Sequence, residues 1–333
     1  MDYRPLGRTG IRVSRLCLGT RSFGGEADEE TAAAMFYRCR DAGINFFDTA
    51  NVYANSRAEE VLGRLIADCR DDIVLTSKVG FPAGDDANAR GLSRRHILRS
   101  VEASLRRLGT DRLDLYFVHT FDANTPMEET LRALDDLVHQ GKILYPAVSN
   151  WAAWQIATAL GISAREGLAR FACIQPMYNL VKRQAEVEIL PLAQAEKMGV
   201  ISFSPLGSGL LTGKYSPTHR PERGRLVENP MHRERYGSPA YYETAERLTA
   251  HARERGLHPA TLAVAWVMAH PAVTAPIIGA RNVEQLEASL AAADVSMTPE
   301  WRAEISAFSV EPPPATDRSE EKSGIIYQGG KSQ

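Results

Sequence analysis

The sequence predicts an α/β fold, a (β/α)8 TIM barrel, and three observations support this prediction. Eight short apolar segments have the length of single strands and are bounded by polar residues or glycine. Amphipathic segments of helical length lie between them, as in a parallel sheet. Eight parallel strands close a barrel, and a chain of 333 residues suits one such unit. We therefore interpret residues 1–333 as a single domain.

The eight predicted strands are too short to be helices. Their apolar residues run continuously, which is typical of strands that are buried on both faces. The segments are residues 16–19, 44–47, 73–77, 113–118, 143–148, 171–174, 200–203 and 275–278.

Three of the intervening helices have marked ends. Residues 92–109 begin at the N-cap Ser93 and end at Gly109, and residues 125–141 begin with Thr-Pro and end at Gly141. The first of these helices should turn Ile97, Val101, Leu105 and Leu108 inward. An earlier helix, 26–43, has a stripe formed by Ala33, Phe36, Tyr37 and Arg40.

Three segments lie outside the repeat. Residues 1–14 alternate around a Gly-Arg-Thr-Gly turn, which predicts a β-hairpin at the bottom of the barrel. Residues 207–239 form a long Gly/Pro/Arg-rich loop after the seventh strand, and we interpret it as a lid over a cofactor. Residues 311–333 form a Pro-rich, charged tail, in which Ile325-Ile326-Tyr327 could dock at the substrate pocket.

The alternative fold is an open doubly wound sheet. Such a sheet would place a glycine-rich phosphate turn after its first strand. The sequence "GTRSFGGE" stands there and lacks the G-x-G-x-x-G spacing, so the barrel is favoured.

Composition excludes several classes of protein. The chain is 44% apolar and 24% charged, and its formal charge of −2 argues against nucleic acid as a main partner. No apolar run approaches the ~20 residues of a membrane span, and the N-terminus has no signal-peptide pattern. We therefore expect a cytoplasmic protein without a membrane or nucleic-acid partner. The four cysteines form no C-x-x-C pair and indicate neither a metal site nor a disulfide framework.

In a barrel of this type, chemistry belongs at the carboxyl ends of the strands. Three titratable residues of different kinds, Asp48, Lys78 and His119, follow the second, third and fourth strands, and Tyr53 is close to the first of them. Each residue alone has an ordinary structural explanation, such as a cap, a solvated strand end or packing. Their convergence at one barrel mouth favours a shared chemical role.

Reduction of a carbonyl group requires hydride at carbon and a proton at oxygen. A tyrosine with a pKa of about 10 holds its proton tightly. An ammonium about 4 Å away would favour the phenolate by ~4 kcal/mol at an effective dielectric of 20. We therefore predict that Asp48 keeps Lys78 protonated, that Lys78 makes Tyr53 more acidic, and that His119 orients the carbonyl oxygen.

The chain also resembles the aldo-keto reductases over nearly its whole length. The segments that support this resemblance include "GINFFDTANVY", "SKVG", "LRRLGTDRLDLYFVH", "QPMYNL", "FSPLGSGLLTGKY" and "PIIGARNVEQL", in family order. The resemblance implies a barrel that binds NADP(H), a catalytic tetrad formed by Asp48, Tyr53, Lys78 and His119, and a small carbonyl or alcohol as substrate. His119, Thr120, Phe121 and Val52 are expected to contact that substrate.

The resemblance also implies a set of cofactor contacts. Ser149, Asn150 and Gln175 would hold the carboxamide, and Phe203 would stack on the nicotinamide. The other contacts are Gly19, Thr20, Asp48, Ser204, Pro205, Leu206, Ser208, Lys214, Gly279, Arg281, Gln285 and Ser289.

This chain differs from the family pattern in two places. Phe203 stands where many relatives have Tyr or Trp, and Ala288 and Ser289 stand where relatives often have an acid and Asn. Arg281, Lys214 and the basic residues Arg220, Arg223 and Arg225 favour NADP(H) over NAD(H), because a planar guanidinium suits a 2′-phosphate.

The resemblance leaves other functions open. The family includes potassium-channel β-subunits, which act as regulatory partners, and dehydrogenases or reductases of sugars and nucleotide-linked deoxysugars. The sequence gives neither the substrate, the reaction direction nor the oligomeric state.

Overall fold

Eight parallel strands close into a barrel in a computed structural model that describes residues 1–316. The strand order around the barrel follows the chain, and the last strand pairs with the first. All eight predicted strands are present, so the predicted barrel is confirmed. Two strands of the hairpin precede them. The strands are β1 Tyr3–Pro5, β2 Arg12–Ser14, β3 Cys17–Gly19, β4 Phe46–Asp48, β5 Val74–Val79, β6 Leu113–Val118, β7 Ile143–Ser149, β8 Cys173–Gln175, β9 Gly199–Ser202 and β10 Ala275–Ile278.

Helices surround the barrel and pack on its outer face. In the part of the chain from residue 1 to 316, no helix is both long and apolar enough to cross a membrane. The helices are α1 Glu29–Asp41, α2 Arg57–Ile66, α3 Arg94–Leu108, α4 Met127–His139, α5 Ala153–Glu166, α6 Ile189–Ala195, α7 Arg225–Glu228, α8 Pro230–Tyr236, α9 Pro239–Glu254, α10 Pro259–Met268, α11 Val283–Leu290 and α12 Pro299–Ser306.

The amino-terminal hairpin seals one end of the barrel, as predicted. Strands β1 and β2 pair antiparallel, and Leu6 in their turn is fully buried. Leu6 and Val13 join the apolar cluster inside the barrel. A β-carbon on Gly199, at the start of β9, would lie 2.6 Å from Leu6 Cδ1, so a larger residue at this position would displace the buried Leu6 side chain. The opposite end, where the strands finish, is left for the functional site.

The helix registers agree with the sequence in α3 and differ in α1. In α3 the side chain of Ser93 caps the helix, Gly109 ends it with a left-handed φ of 62°, and the four predicted inward residues are buried. In α1 the buried face is formed instead by Ala32, Met35, Phe36 and Cys39, while Tyr37 is 56% exposed. The predicted stripe was therefore wrong by about one position, because only Phe36 belongs to both sets.

The segment 207–239 is not a loop throughout, which corrects the prediction. It begins with a 3-10 turn, Gly207–Thr212, and contains the short helices α7 and α8. Asn229 caps α8 through its side chain, which accepts from the backbone of Met231 and His232. The tail is described only as far as residue 316, so the predicted docking of Ile325-Ile326-Tyr327 lies outside the described residues.

Candidate active site

A buried ion pair joins the second and third barrel strands. Asp48 ends β4 and is paired in register with Thr76 of β5. Because side chains alternate along a strand, Thr76 and Lys78 point to the same face, toward Asp48. Lys78 Nζ lies 2.6 Å from Asp48 Oδ2, and the Thr76 hydroxyl donates to Asp48 Oδ1 at 2.7 Å. Lys78 Nζ also donates to the Thr49 carbonyl at 2.7 Å.

Lys78 is kept protonated by this arrangement. Its side chain is fully buried, and burial alone would lower its pKa. The charge of Asp48, followed by that of Tyr53, outweighs burial, and the pKa of Lys78 lies above its ordinary value. The structure thus brings Asp48 into contact with Lys78, as its predicted role as the counter-charge requires.

Tyr53 lies beside this ion pair, on a strained turn between β4 and α2. Three consecutive residues after it, Ala54, Asn55 and Ser56, have φ values of 48°, 54° and 74°. Such left-handed backbone costs roughly 1–2 kcal/mol per non-glycine residue. Ser56 is held by a 2.7 Å hydrogen bond to the Asn51 carbonyl. The turn places the Tyr53 ring with its centre 5.0 Å from Lys78 Nζ.

The pKa of Tyr53 corrects one part of the sequence prediction. Burial raises the pKa of this phenol, and the charge of Lys78 lowers it, together with a side-chain hydrogen bond from the same residue. Asp48 raises it further, and the net pKa lies above the ordinary value of 10. The cation therefore acts in the predicted direction but does not overcome burial, so Tyr53 is a protonated phenol at neutral pH.

His119 follows β6 and is a neutral imidazole. Its pKa lies well below the ordinary value, first because of burial and then because of the nearby charge of Lys78. Its ring meets the Tyr53 ring edge-on with centres 6.0 Å apart. Its Nδ1 is buried without a hydrogen-bond partner among residues 1–316. A neutral imidazole in this position can donate one hydrogen bond to an uncharged oxygen.

A chain of hydrogen bonds connects the predicted carboxamide residues to the ion pair. Gln175 Nε2 donates to Asp48 Oδ1 at 2.9 Å. The Ser149 hydroxyl donates to the Gln175 carbonyl at 2.9 Å, and Asn150 Nδ2 donates to the His119 carbonyl at 2.9 Å. The three residues are thus brought together beside the tetrad.

The residues after β9 form a second part of the site. Phe203 is partly buried against the apolar cluster inside the barrel, and Pro205 and Leu206 follow it. Ser204 and Ser208 both have a φ of 58°, and the Ser208 hydroxyl lies 2.8 Å from Nδ1 of His232. Gly207 and Gly209, on either side of Ser208, also have positive φ values of 55° and 92°. Successive backbone N–H groups in such turns can form a concave site for an anion.

One cation, Lys214, lies near this backbone, and a second, Arg281, acts on it electrostatically. Burial lowers the pKa of Lys214, and the charge of Arg281 lowers it further, so the two cations lie close enough to repel each other. Lys214 is also near the backbone of the 3-10 turn, because a β-carbon on Gly209 would lie 3.4 Å from its Nζ.

The last of the predicted cofactor residues follow β10. Gly279 lies close to Gly19, because a β-carbon added to Gly279 would be 3.5 Å from the carbonyl oxygen of Gly19. Gln285 accepts a 3.4 Å hydrogen bond from the backbone of Arg281. Ser289 is buried, and its hydroxyl has no partner among residues 1–316. Thr20, at the first strand, donates from its hydroxyl to the Asp48 carbonyl at 3.1 Å.

These residues fit a nucleotide cofactor that contains phosphates. Lys214 and Arg281 supply mutually repelling positive charge. Buried polar atoms at Ser289 and His232 lack partners within the described part of the chain. A ligand that carries phosphates and further polar groups would neutralise the two cations and form hydrogen bonds with the unpartnered atoms.

The sequence reasoning missed three features of the site. Arg21 follows Thr20 and interacts electrostatically with Tyr53. The ring of Phe81 meets that of His119 edge-on at 4.6 Å. A 2.9 Å ion pair joins Arg225 to Glu26 and so connects the segment 207–239 to the loop after β3. The position of Arg21 two residues beyond a strand end was the signal that could have identified it.

The chain belongs to the aldo/keto reductase family, whose model matches residues 15–309. It is 39% identical to a probable voltage-gated potassium channel subunit beta of Oryza sativa subsp. japonica over 95% of this chain and 99% of that protein. It is also 39% identical to the uncharacterized oxidoreductase YrpG of Bacillus subtilis over 90% of this chain and 93% of that protein. A probable potassium channel subunit beta of Arabidopsis thaliana is 39% identical over 89% of this chain and 92% of that protein.

Proposed function

We propose that this protein catalyses the reversible, NADP(H)-dependent reduction of an aldehyde or ketone to an alcohol. The observation that supports this proposal is the convergence of Asp48, Lys78, Tyr53 and His119 at the carboxyl ends of the barrel strands. The aldo/keto reductase family, to which the chain belongs, consists of oxidoreductases, and the relative YrpG is named as an oxidoreductase.

Each member of this group has a distinct task in the proposed reaction. The nicotinamide, when bound, supplies a hydride to the carbonyl carbon. Tyr53 donates its phenolic proton to the carbonyl oxygen, and Lys78 stabilises the phenolate that is left. Asp48 keeps Lys78 charged as the proton leaves. His119 donates a hydrogen bond to the same oxygen and so holds the carbonyl in line. In the alcohol-oxidising direction the Tyr53 phenolate takes the proton back.

The proposed cofactor residues are those that the sequence suggested. Ser149, Asn150 and Gln175 would hold the carboxamide, and Phe203 would stack on the nicotinamide. Lys214 lies close to the left-handed backbone at Gly209, and Arg281 acts electrostatically on Lys214, so both cations favour the phosphates of NADP(H).

A regulatory role is the second candidate. Two plant relatives are named as potassium channel β subunits, and each matches at least 89% of this chain. In that role the chain would bind cofactor and act as a sensor, with slow residual chemistry. A sugar dehydrogenase or deoxysugar reductase of the same fold is a further alternative within the enzymes.

The experiment is a panel of aldehydes and ketones assayed by the loss of NADPH absorbance, with the Tyr53→Phe variant as the matched control. We expect turnover by the natural sequence and a loss of roughly 10²–10⁴-fold in the variant. NADPH fluorescence should show the same cofactor affinity in both proteins. Absence of turnover across the panel, with intact NADPH binding, would instead support the sensor.

A further inference from the structure

The loop that follows β5, residues 80–91, is closed at its base by a backbone hydrogen bond. The N–H of Gly91 donates to the carbonyl of Gly80 at 2.9 Å. Residues 81–88 are all exposed, so this β5 loop has little packing of its own. The contacts at its base therefore decide where its first side chain, that of Phe81, lies.

The carboxylate of Asp122 holds this base from the next loop, the β6 loop, which consists of residues 119–126. Asp122 Oδ2 accepts a 2.8 Å hydrogen bond from the backbone N–H of Leu92, the residue after Gly91. A β-carbon on Gly91 would lie 2.5 Å from the same oxygen, and Gly91 has a left-handed φ of 79°. The carbonyl of Leu92 accepts a further 3.0 Å hydrogen bond from the hydroxyl of Thr130. Both backbone polar groups of Leu92 are thus bound by the part of the chain that follows β6.

Asp122 is itself fixed by its own loop. Its Oδ1 accepts from the backbone N–H of Asn124 at 2.9 Å, and its Oδ2 accepts from the hydroxyl of Thr125 at 2.7 Å. Burial raises the pKa of Asp122, but the hydrogen bonds from Thr125, Leu92 and Asn124 outweigh burial, and the net pKa lies below the ordinary value. Asp122 is therefore a charged carboxylate at neutral pH, and a charged acceptor forms stronger hydrogen bonds than a neutral one.

The two loops that Asp122 joins carry two rings in contact. Phe81 is the second residue of the β5 loop, and His119 is the first residue of the β6 loop. The backbone N–H of His119 donates to the Val79 carbonyl at 2.8 Å, so the loops begin side by side. The ring of Phe81 meets that of His119 edge-on with centres 4.6 Å apart.

Phe81 is placed to contact a substrate that His119 binds. In the proposed reaction His119 donates a hydrogen bond to the carbonyl oxygen, and an aryl group attached to that carbonyl would lie next to the neighbouring ring of Phe81. Phe81 is 39% exposed, so part of its surface remains available to such a group. Contact between two aromatic rings stabilises a complex by about 0.5–1.5 kcal/mol beyond the area that it buries.

We propose that Asp122 is a positioning residue, whose carboxylate holds the β5 loop against the β6 loop and so keeps the Phe81 ring beside His119, where it contacts an aryl group of the substrate. This inference rests on the proposed function and concerns the same site. Asp122 acts through the base of the β5 loop and not by contact with the substrate. Without the carboxylate, the Leu92 N–H loses its acceptor, and the exposed loop is free to move Phe81 away from His119.

The first test compares benzaldehyde with propanal, which has no ring, in the Asp122→Ala variant. Asp122→Ala should raise KM for benzaldehyde roughly 2- to 10-fold and leave KM for propanal unchanged. The value of kcat should stay the same for both aldehydes, because the ring contact is equally strong in the bound substrate and in the transition state. Asp122→Asn keeps one acceptor oxygen for the Leu92 N–H and should have a smaller effect. Equal KM changes for the two aldehydes would overturn the proposal.

A double-variant cycle separates positioning from a merely structural role. Phe81→Ala alone should raise KM for benzaldehyde as Asp122→Ala does, and adding Asp122→Ala to it should raise KM by no more than about 2-fold further. Independent effects that multiply would overturn the proposal. Glu129→Ala is the matched control, because Glu129 accepts a 2.9 Å hydrogen bond from the backbone N–H of Arg94, in the helix beyond the loop base, and should change neither KM.

The second test needs no turnover, and it separates this inference from the proposed function. In protein labelled with ¹⁵N-histidine, the ring signal of His119 is assigned by its loss in His119→Asn. Asp122→Ala and Phe81→Ala should both shift this signal, and Glu129→Ala should not. If the signal shifts in this way and no aldehyde is reduced, the positioning by Asp122 stands and the proposed function is wrong. If aldehydes are reduced and Asp122→Ala leaves the signal unchanged, the proposed function stands and the positioning role is wrong.

Discussion

Glu59 accepts a 2.5 Å hydrogen bond from the hydroxyl of Ser77, the residue that precedes Lys78. Glu59 is fully buried on α2, the helix that follows the strained Tyr53 turn, and it also forms a 2.6 Å ion pair with Arg107 of α3. The Glu59 carboxylate thus connects β5, the strand that carries Lys78, to α2, the helix that follows Tyr53. A buried carboxylate is stable only when its oxygens have such partners.

We expect Glu59→Gln to lower the free energy of unfolding by roughly 1–3 kcal/mol, because it leaves Arg107 without its counter-charge. Urea denaturation measures this difference. Arg107→Lys keeps both charges and should cost less than Glu59→Gln. A Glu59→Gln protein as stable as the natural one would show that the ion pair makes no net contribution.

The Asp48–Lys78 pair should show strong coupling. Lys78→Met leaves the buried Asp48 carboxylate unpaired, and breaking a buried pair in this way costs about 3–5 kcal/mol. The double variant Asp48→Asn with Lys78→Met removes both charges and should be more stable than Lys78→Met alone. Urea denaturation of the natural protein, the single variants Asp48→Asn and Lys78→Met, and the double variant gives the coupling energy. Simple additivity of the two single changes would contradict a direct interaction.

Acid should destabilise the fold through buried and partly buried histidines. Burial, followed by the charge of Arg302, lowers the pKa of His270 to about 4, whereas an unfolded histidine has its ordinary value of 6.5. Between these values the unfolded chain binds the proton and the folded chain does not, so stability falls as pH falls from about 6.5 to about 4.

His270→Asn tests this pH dependence. The variant keeps an acceptor for the Ala272 N–H, which now donates to His270 Nδ1 at 3.1 Å. Thermal melts at several pH values should show a weaker acid dependence in the variant, with melting temperatures that converge on those of the natural protein at low pH. The pKa of His232 is also lowered to about 4, and a second change there should weaken the dependence further. An unaltered dependence in both variants would refute the assignment.

The Glu26–Arg225 ion pair should slow the release of cofactor. It connects the loop after β3 to helix α7, which belongs to the segment 207–239 that we interpret from the sequence as a lid over the cofactor. The partners are 46% and 34% exposed, so the pair is worth about 1 kcal/mol at most, and Glu26→Gln should speed NADPH release by a few-fold. Stopped-flow fluorescence measures the rate. Glu29→Gln breaks a similarly exposed pair with Arg64 and is the matched control, for which no change is expected.

Arg281 should determine the choice between the two nicotinamide nucleotides. Arg281→Leu should lower kcat/KM for NADPH roughly 10- to 100-fold and leave kcat/KM for NADH unchanged, because only NADPH carries the 2′-phosphate. Arg281→Lys should retain part of the preference. Comparable kcat/KM values for NADH and NADPH in the natural protein would refute the proposed preference.

The sequence predicted the barrel because its signals are local. Each strand is a short apolar run, and the hairpin and α3 have turn and cap residues at their ends. The register of α1 was missed because Tyr37 and Met35 are both apolar enough to suit a buried face, and only packing makes Met35 the buried one.

The strand order was enough to predict that the tetrad residues lie together, but it did not predict the positions of Glu59 and Arg21. Asp48 and Lys78 lie at the carboxyl ends of their strands and His119 directly follows the next strand, so topology alone brings them together. In the sequence, Glu59 is one of two adjacent acids in the first turn of a helix, a pattern that is typical of exposed residues. Its partner Arg107 is 48 positions away in the sequence. Arg21 interacts with residues of the segment 207–239, whose path across the barrel mouth no local pattern encodes.

One oxygen of Asp48 accepts hydrogen bonds from both Thr76 and Gln175. A substitution at Asp48 that suits one of these donors would disturb the other, so we expect few substitutions to be tolerated at this position. Diversification of this scaffold toward new compounds is easier at the rim, where Arg21 and Phe81 make no bond to that oxygen. Directed-evolution libraries would best randomise these two positions and leave the strand ends unaltered.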